Sequence, residues 1–247
     1  MGHLIGGLST INNKNMISID TVYQRVLAVL NKEQRGYITP QEFNLKANQA
    51  QLEIFEQYFY DLQQFKRVRE NNTEYSNMIK LIDEKISKFK KKSDLTFSSN
   101  YFTFPVDLHK IGTVIYNNIE VERIDAKEAL AYELTPLGAA TVSRPTYVQN
   151  IENTGDTWGI KVYPSSIVSG VSATYIKKPA TVNWAYTEVD GNPLYNANNS
   201  INFELHDSDE STLVIKILAY SGVIVREFDI TEVANAQEAK TITQEKS

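Results

Sequence analysis

Leu213-Val214-Ile215-Lys216-Ile217-Leu218-Ala219-Tyr220-Ser221-Gly222-Val223-Ile224-Val225 is the stretch on which the fold turns, with Lys216 its one charged residue. A helix apolar on nearly every side has to be covered on nearly every side. The tail beyond it, Ile230 to Ser247, is polar and carries only a weak helical stripe. The covering partners must therefore come from far away in the chain. The amphipathic helical patterns long enough to supply them sit at the opposite end, so residues 213–225 are expected to fold back onto the first helices. Asp207 to Glu210 reads as the capping box that starts this last helix.

At that opposite end, Ile19, Val22, Tyr23, Val26, Leu27, Val29 and Leu30 recur at three- and four-residue spacing and predict a helix from Ile19 to about Glu33, stopped by Gly36. Thr39-Pro40-Gln41-Glu42 combines an N-cap hydroxyl, proline at N1 and glutamate at N3, a strong start for a second helix. Its stripe runs Phe43, Ala47, Ala50, Ile54, Tyr58, Leu62 and Phe65, and Leu45, Leu52, Phe55 and Phe59 widen it until one neighbour no longer suffices. Asn71 to Glu74 caps a third helix carrying Tyr75, Met78, Ile79, Ile82, Ile86 and Phe89.

From Asp94 the texture changes to short β-branched and aromatic runs: Tyr101–Phe104, Thr113–Tyr116, Ile160–Tyr163 and Val171–Ile176. A short helix is expected from Asp125 to Leu134, and Asp190-Gly191-Asn192-Pro193 is a turn. The predicted fold class is α+β: a helical bundle built from both chain ends with an inserted antiparallel β-rich domain, either a sandwich or a partly open barrel. The expected divisions are a flexible arm over 1–16, a three-helix platform over 17–93, the β-rich body over 94–206, and the returning helix with its tail over 207–247.

Composition narrows the function classes. A formal charge of −5 and a pI near 5.4 argue against a general nucleic-acid coat, which is basic over its binding face. The chain has no cysteine, which removes disulfides, thiolate metal sites and cysteine nucleophiles together. No apolar run nears the roughly 18 residues of a membrane span, and the opening residues lack the basic and small-residue marks of a signal peptide. A start at Met16 is the alternative reading of residues 1–15.

Chemistry-bearing patterns are sparse, and each has a structural explanation. Asn31 to Glu42 imitates a calcium loop, with Asn31, Glu33, Gly36, Ile38 and Glu42 in register, but Arg35 puts a cation where an oxygen ligand belongs. Lys88, Lys90, Lys91 and Lys92 complement the dipole at the end of the third helix, or else approach DNA phosphates. Asp107 and His109 share a side if extended, without a third catalytic partner. Asp207, Asp209 and Glu210 suit capping better than acid–base chemistry. Trp158 and Trp184 with Tyr147, Tyr163, Tyr175 and Tyr186 make either a core or a platform for sugars or bases, the core being the commoner use. Nothing points to a catalytic group, a cofactor or a metal; His3, His109 and His206 are too scattered to form a site.

Several stretches together resemble the ring and head–tail connector proteins of short-tailed bacteriophages, the crAss-like ones in particular. They are Tyr23 through Asn44 with Ala47, Ala50, Gln51 and Phe55; Phe104-Pro105-Val106-Asp107-Leu108; Pro145 and Tyr147; Ile160 to Pro164; Tyr175 to Pro179; Phe203 to His206; and Leu213 to Val223. The likeness spans about residues 17 to 245, each motif soft, their order and combination more telling, and the residues before Met16 depart from it. It is also similar to the tail-tube adaptor, with a helical base and an inserted β domain. The resemblance implies a non-enzymatic virion subunit, assembled in the host cytoplasm into a dodecameric ring below the portal. That ring would contact the portal and neighbouring ring or tail proteins and pass genome and cargo through its channel. Two other readings stay open on the sequence: a tail-fibre adhesin whose β body binds surface sugars, and a cell-wall hydrolase.

A closed ring needs two different, complementary surfaces on each copy. The over-wide face of the second helix offers Phe55, Tyr58, Phe59 and Leu62 as one candidate interface, and the tail offers Asn235, Gln237 and Lys240 as a clasp. An acidic chain suits a channel that must not grip phosphates.

Overall fold

A computed structural model of the chain describes residues 16–32, 37–67, 73–98, 100–135, 138–150 and 159–222. In chain order these form helices α1 (Ile19–Lys32), α2 (Pro40–Arg67) and α3 (Thr73–Ser87), then strands β1 (Lys90–Asp94), β2 (Thr96–Ser98), β3 (Tyr101–Thr103), β4 (Leu108–Tyr116), β5 (Ile119–Glu120) and β6 (Glu122–Arg123). Helix α4 (Ala126–Glu133) precedes β7 (Thr146–Asn150), β8 (Gly159–Tyr163), β9 (Val171–Lys177), β10 (Tyr186–Val189) and β11 (Asn192–Tyr195), and α5 (Glu210–Tyr220) comes last. The protein is mixed α and β with predominantly antiparallel sheets.

The chain divides into two compact units, Met1–Tyr60 with Ala180–Ser247, and Asp61–Pro179. These divisions fall at 60/61 and 179/180, whereas the sequence placed them at 93/94 and 206/207. Residues 180–206 belong with the helices because polar side chains of α2 hold them, a link that hydrophobic patterning does not register.

In the first unit helices early and late in the sequence meet. Helix α1 packs against α5. Ser18 starts α1, its hydroxyl accepting from Thr21 N–H, and Ile19 N–H donates to the remote Asn202 side chain at 3.0 Å. The expected capping box of α2 is present: Glu42 N–H donates to Thr39 Oγ1, and Thr39 N–H donates back to the Glu42 carboxylate. Ile19, Val22, Tyr23 and Val26 of α1, Phe43, Ala47, Ala50, Ile54 and Phe55 of α2, and Leu213, Ile217 and Leu218 of α5 are all buried. Strands β10 and β11 form a hairpin whose turn needs positive φ at both Asp190 (51°) and Gly191 (79°).

The last helix is shorter than its apolar sequence suggests. It ends at Tyr220, with Gly222 at φ 79° beyond it, and Val223–Val225 lie outside the described residues. Its start also differs from expectation. A short 3₁₀ turn covers Asp207–Asp209, capped by His206, while Asp209 occupies the N-cap of α5 without a side-chain capping bond.

In the second unit α3 leads through a turn at Phe89 directly into the strands, and Phe89 carbonyl accepts from Lys177 N–H. One sheet has the order β1-β9-β4-β5 and another β2-β3-β8-β7-β6. Both feed one core: Val114, Val171 and Ala173 from the first, Phe102, Tyr147, Ile160 and Val162 from the second. One pairing departs from the antiparallel expectation. Strands β6 and β7 run parallel, and α4 lies between them in sequence, as a parallel pair requires a crossover.

Candidate interaction surfaces

In the first unit the polar side of α2 carries a ladder of side-chain amides. Asn48 donates to Val182 carbonyl at 2.9 Å and accepts from Val182 N–H at 2.8 Å. Asn44 treats Trp184 the same way, at 3.2 and 2.7 Å, and Gln51 donates to Ala180 carbonyl at 2.8 Å. The spacing explains why this works. Four residues of helix rise about 6 Å, and two residues of extended chain advance about 6.6 Å. Amides at i and i+4 thus meet alternate residues of an antiparallel extended segment, and side chains replace a neighbouring strand.

With that side of α2 occupied, the helix presents another to solvent. Leu45 is 74% exposed and Leu52 45% exposed, seven residues apart, and half-buried Phe59 continues the stripe. This corrects the interface read from sequence. Phe55 is fully buried and Tyr58 is 5% exposed, so both belong to the interior of the protomer. Phe59 stands edge-on to Phe55 at 5.0 Å, and Leu62 is half-buried. Asn235, Gln237 and Lys240 lie outside the described residues.

Four polar contacts fix α5 and the turn before it. Tyr58 hydroxyl donates to the buried Asp209 carboxylate at 2.5 Å. Arg25 Nη1 lies 2.7 Å from Glu210 Oε1. Glu53 accepts from Lys216 Nζ at 2.8 Å and also from Tyr220 hydroxyl. The Lys216 and Tyr220 hydrogen bonds hold the Glu53 carboxyl below its usual range, and the bond to Glu53, with some burial, pushes Tyr220 up to about 12. Burial first, then the bond to Asp209, raises Tyr58 well above an ordinary phenol. The carboxylates at 209 and 210, which on sequence suit caps or acid–base groups, are therefore committed to holding helices together.

The lysine cluster is placed differently from expectation. Helix α3 stops at Ser87, and Lys90, Lys91 and Lys92 form β1 at the edge of its sheet. Lysines on an edge strand discourage pairing with another chain, which replaces the helix-dipole explanation for these three. Lys88 sits in the turn between α3 and β1. Lys91 Nζ lies 3.5 Å from the Asp107 carboxylate, which also accepts from Tyr175 hydroxyl at 3.0 Å. Asp107 is thus engaged by structure, and His109 is exposed on β4.

The aromatic platform is mostly interior. Trp184 is buried, stacked against the cross-strand pair Tyr186 at 6.0 Å and Tyr195 at 5.7 Å, and its indole N–H donates to Asp20 at 3.0 Å. Tyr147 and Tyr175 are buried in the second unit, Tyr163 packs against Ile124, Ala129 and Val148, and Trp158 lies outside the described residues. A pocket of about 630 Å³ remains beside Trp184, lined by Asp20, Tyr37, Asn192 and Tyr195 among others. Of the calcium-like loop, Glu33 to Gly36 lie outside the described residues, and Glu42 is spent on the cap of α2. Among the described residues no cluster of His, Asp and Glu could hold a metal ion, and no helix is long and apolar enough to cross a membrane.

No protein-family model matches the chain, and no curated protein shows a significant match to it.

Proposed function

We propose that this chain is a structural, non-enzymatic subunit of a closed ring in a bacteriophage head–tail connector or tail, as the sequence resemblance implies. In this reading a helical base built from both chain ends carries the β-rich segment as an insert. Copies associate side by side, in a dodecamer by the resemblance, on the portal and against neighbouring ring or tail proteins, and genome and cargo pass through without specific binding. The supporting observation is the Leu45–Leu52 stripe. It is apolar, exposed, and carried on a helix whose other side is fixed by the amide ladder. An apolar strip on a helix held in place suits association with a second copy, and a head-to-tail contact repeated with closure gives a ring.

The experiment is electron microscopy of the purified protein alone and mixed with its portal. Closed rings of uniform symmetry, stacked on the portal when it is present, are the expected result. Dispersed single protomers under both conditions would sink the proposal.

A further inference from the structure

We propose that the outer face of the β1–β9–β4 sheet, where Lys90, Lys92 and Lys110 stand around Ile176 and Thr174, contacts the phosphate backbone of double-stranded DNA. Register brings these residues together from two separate strands. Lys90 and Lys110 both lie opposite Ile176, one on each side, and Lys92 lies opposite Thr174. Residues directly opposite in an antiparallel sheet share a face. Val171 and Ala173 of β9 enter the core, so the alternate residues, with their lysine partners, face away from it.

All three lysines are exposed, and none makes an ion pair among the described residues. Lys91 falls on the other face and is tied to Asp107, so it is not part of the patch. Asp94, opposite Ser172, is the next residue of β1 on this face, about 6.6 Å beyond Lys92, and bounds the patch at that end, as Glu120, opposite Ile115, does on the other side of β4. Along β1 the two lysines are about 6.6 Å apart, and across two strand spacings Lys90 and Lys110 are about 9.6 Å apart. Duplex DNA offers a charge every ~1.7 Å of axis, so each ammonium can find a phosphate. The formal charge of −5 makes the rest of the chain unattractive to DNA and gives this face its selectivity. The inference rests on the ring reading only for its purpose, a place where passing DNA is touched; the contact itself is a property of the sheet.

The test is fluorescence anisotropy of the full chain with a short mixed-sequence duplex between about 50 and 200 mM salt. Three phosphate contacts predict a log–log salt slope of about −2.7, at ~0.9 per contact. The Lys90→Gln/Lys92→Gln/Lys110→Gln variant should weaken binding about tenfold or more at low salt and flatten the slope, with an unchanged denaturation midpoint. Lys91→Gln should leave the slope as it was. No binding by the unaltered chain, an unchanged slope in the triple variant, or binding to anionic phospholipid vesicles but not to DNA would each overturn the inference. Ring formation is read separately by microscopy. Rings without DNA contact defeat only this inference, and DNA contact without rings defeats only the ring reading.

Discussion

The Asn48 side chain makes both hydrogen bonds of the Val182 backbone, donating at 2.9 Å and accepting at 2.8 Å across 134 residues of sequence. Such a pair leaves neither backbone group of Val182 unsatisfied, and the cost of losing it exceeds that of an ordinary side-chain contact.

Asn48→Ala should lower stability by about 1–3 kcal/mol, because it strands a donor and an acceptor at once. Asn48→Asp should not rescue it, since the carboxylate keeps the acceptor for Val182 N–H but turns an oxygen toward the carbonyl. Urea denaturation midpoints of the two variants check this.

The contacts that fix α5 should be unequal. Tyr58→Phe removes a donor from the buried Asp209 carboxylate and should cost about 1.5–3 kcal/mol. Lys216→Ala breaks a solvent-exposed pair and should cost less than about 1 kcal/mol. Chemical denaturation of both variants distinguishes them.

Stability should fall at both extremes of pH, for opposite reasons. Glu53 has its folded value depressed, so its contribution is present above the ordinary carboxylate value of 4.5 and is lost as pH falls through the lower folded value. Tyr220 has its folded value raised from 10.0 to about 12, so its contribution is complete below 10 and is lost as pH rises through about 12. Glu53→Gln should flatten the acid limb of a stability–pH curve, and because Gln can still accept from Tyr220 it should change the alkaline limb less than Tyr220→Phe does.

Gly112 sits in the irregular stretch of β4, where an added Cβ would come 2.7 Å from Thr174 Oγ1 and 2.9 Å from Thr174 carbonyl oxygen. Gly112→Ala should therefore cost about 1–3 kcal/mol through overpacking against backbone. Gly191→Ala meets open space and should cost only the strain of its positive φ, about 1–2 kcal/mol. Thermal unfolding of the two variants compares the effects.

Periodicity and caps make much of this fold legible. The Thr39–Glu42 box, the turn at Asp190–Gly191 and the strands around Tyr101, Ile160 and Val171 arise from local chemistry that acts within a few residues. The return of Leu213–Tyr220 to the first helix is legible because so apolar a segment has to be covered. The features that escape are carried by polar side chains acting at long range. Nothing in Asn44, Asn48 and Gln51 reveals that their amides hold residues 180–184, and this moves the boundary of the first unit. Lys90–Lys92 read as a helix end because charge runs commonly solvate helix termini; only the pairing with β9 turns them into an edge strand. Phe55 and Tyr58 read as an interface because hydrophobic width shows that two neighbours exist, not whether the second is another copy or the interior of the same protomer.

Whether copies join through the Leu45–Leu52 stripe is decided by the assembled mass of the unaltered chain and of Leu45→Glu/Leu52→Glu, measured by light scattering across a concentration series with and without portal. The 28.0 kDa chain should form one closed species near twelve subunits, alone or on the portal, and the variant should stay monomeric with the same denaturation midpoint. A chain that remains monomeric under every condition, or a variant that assembles as the original does, would refute the ring reading.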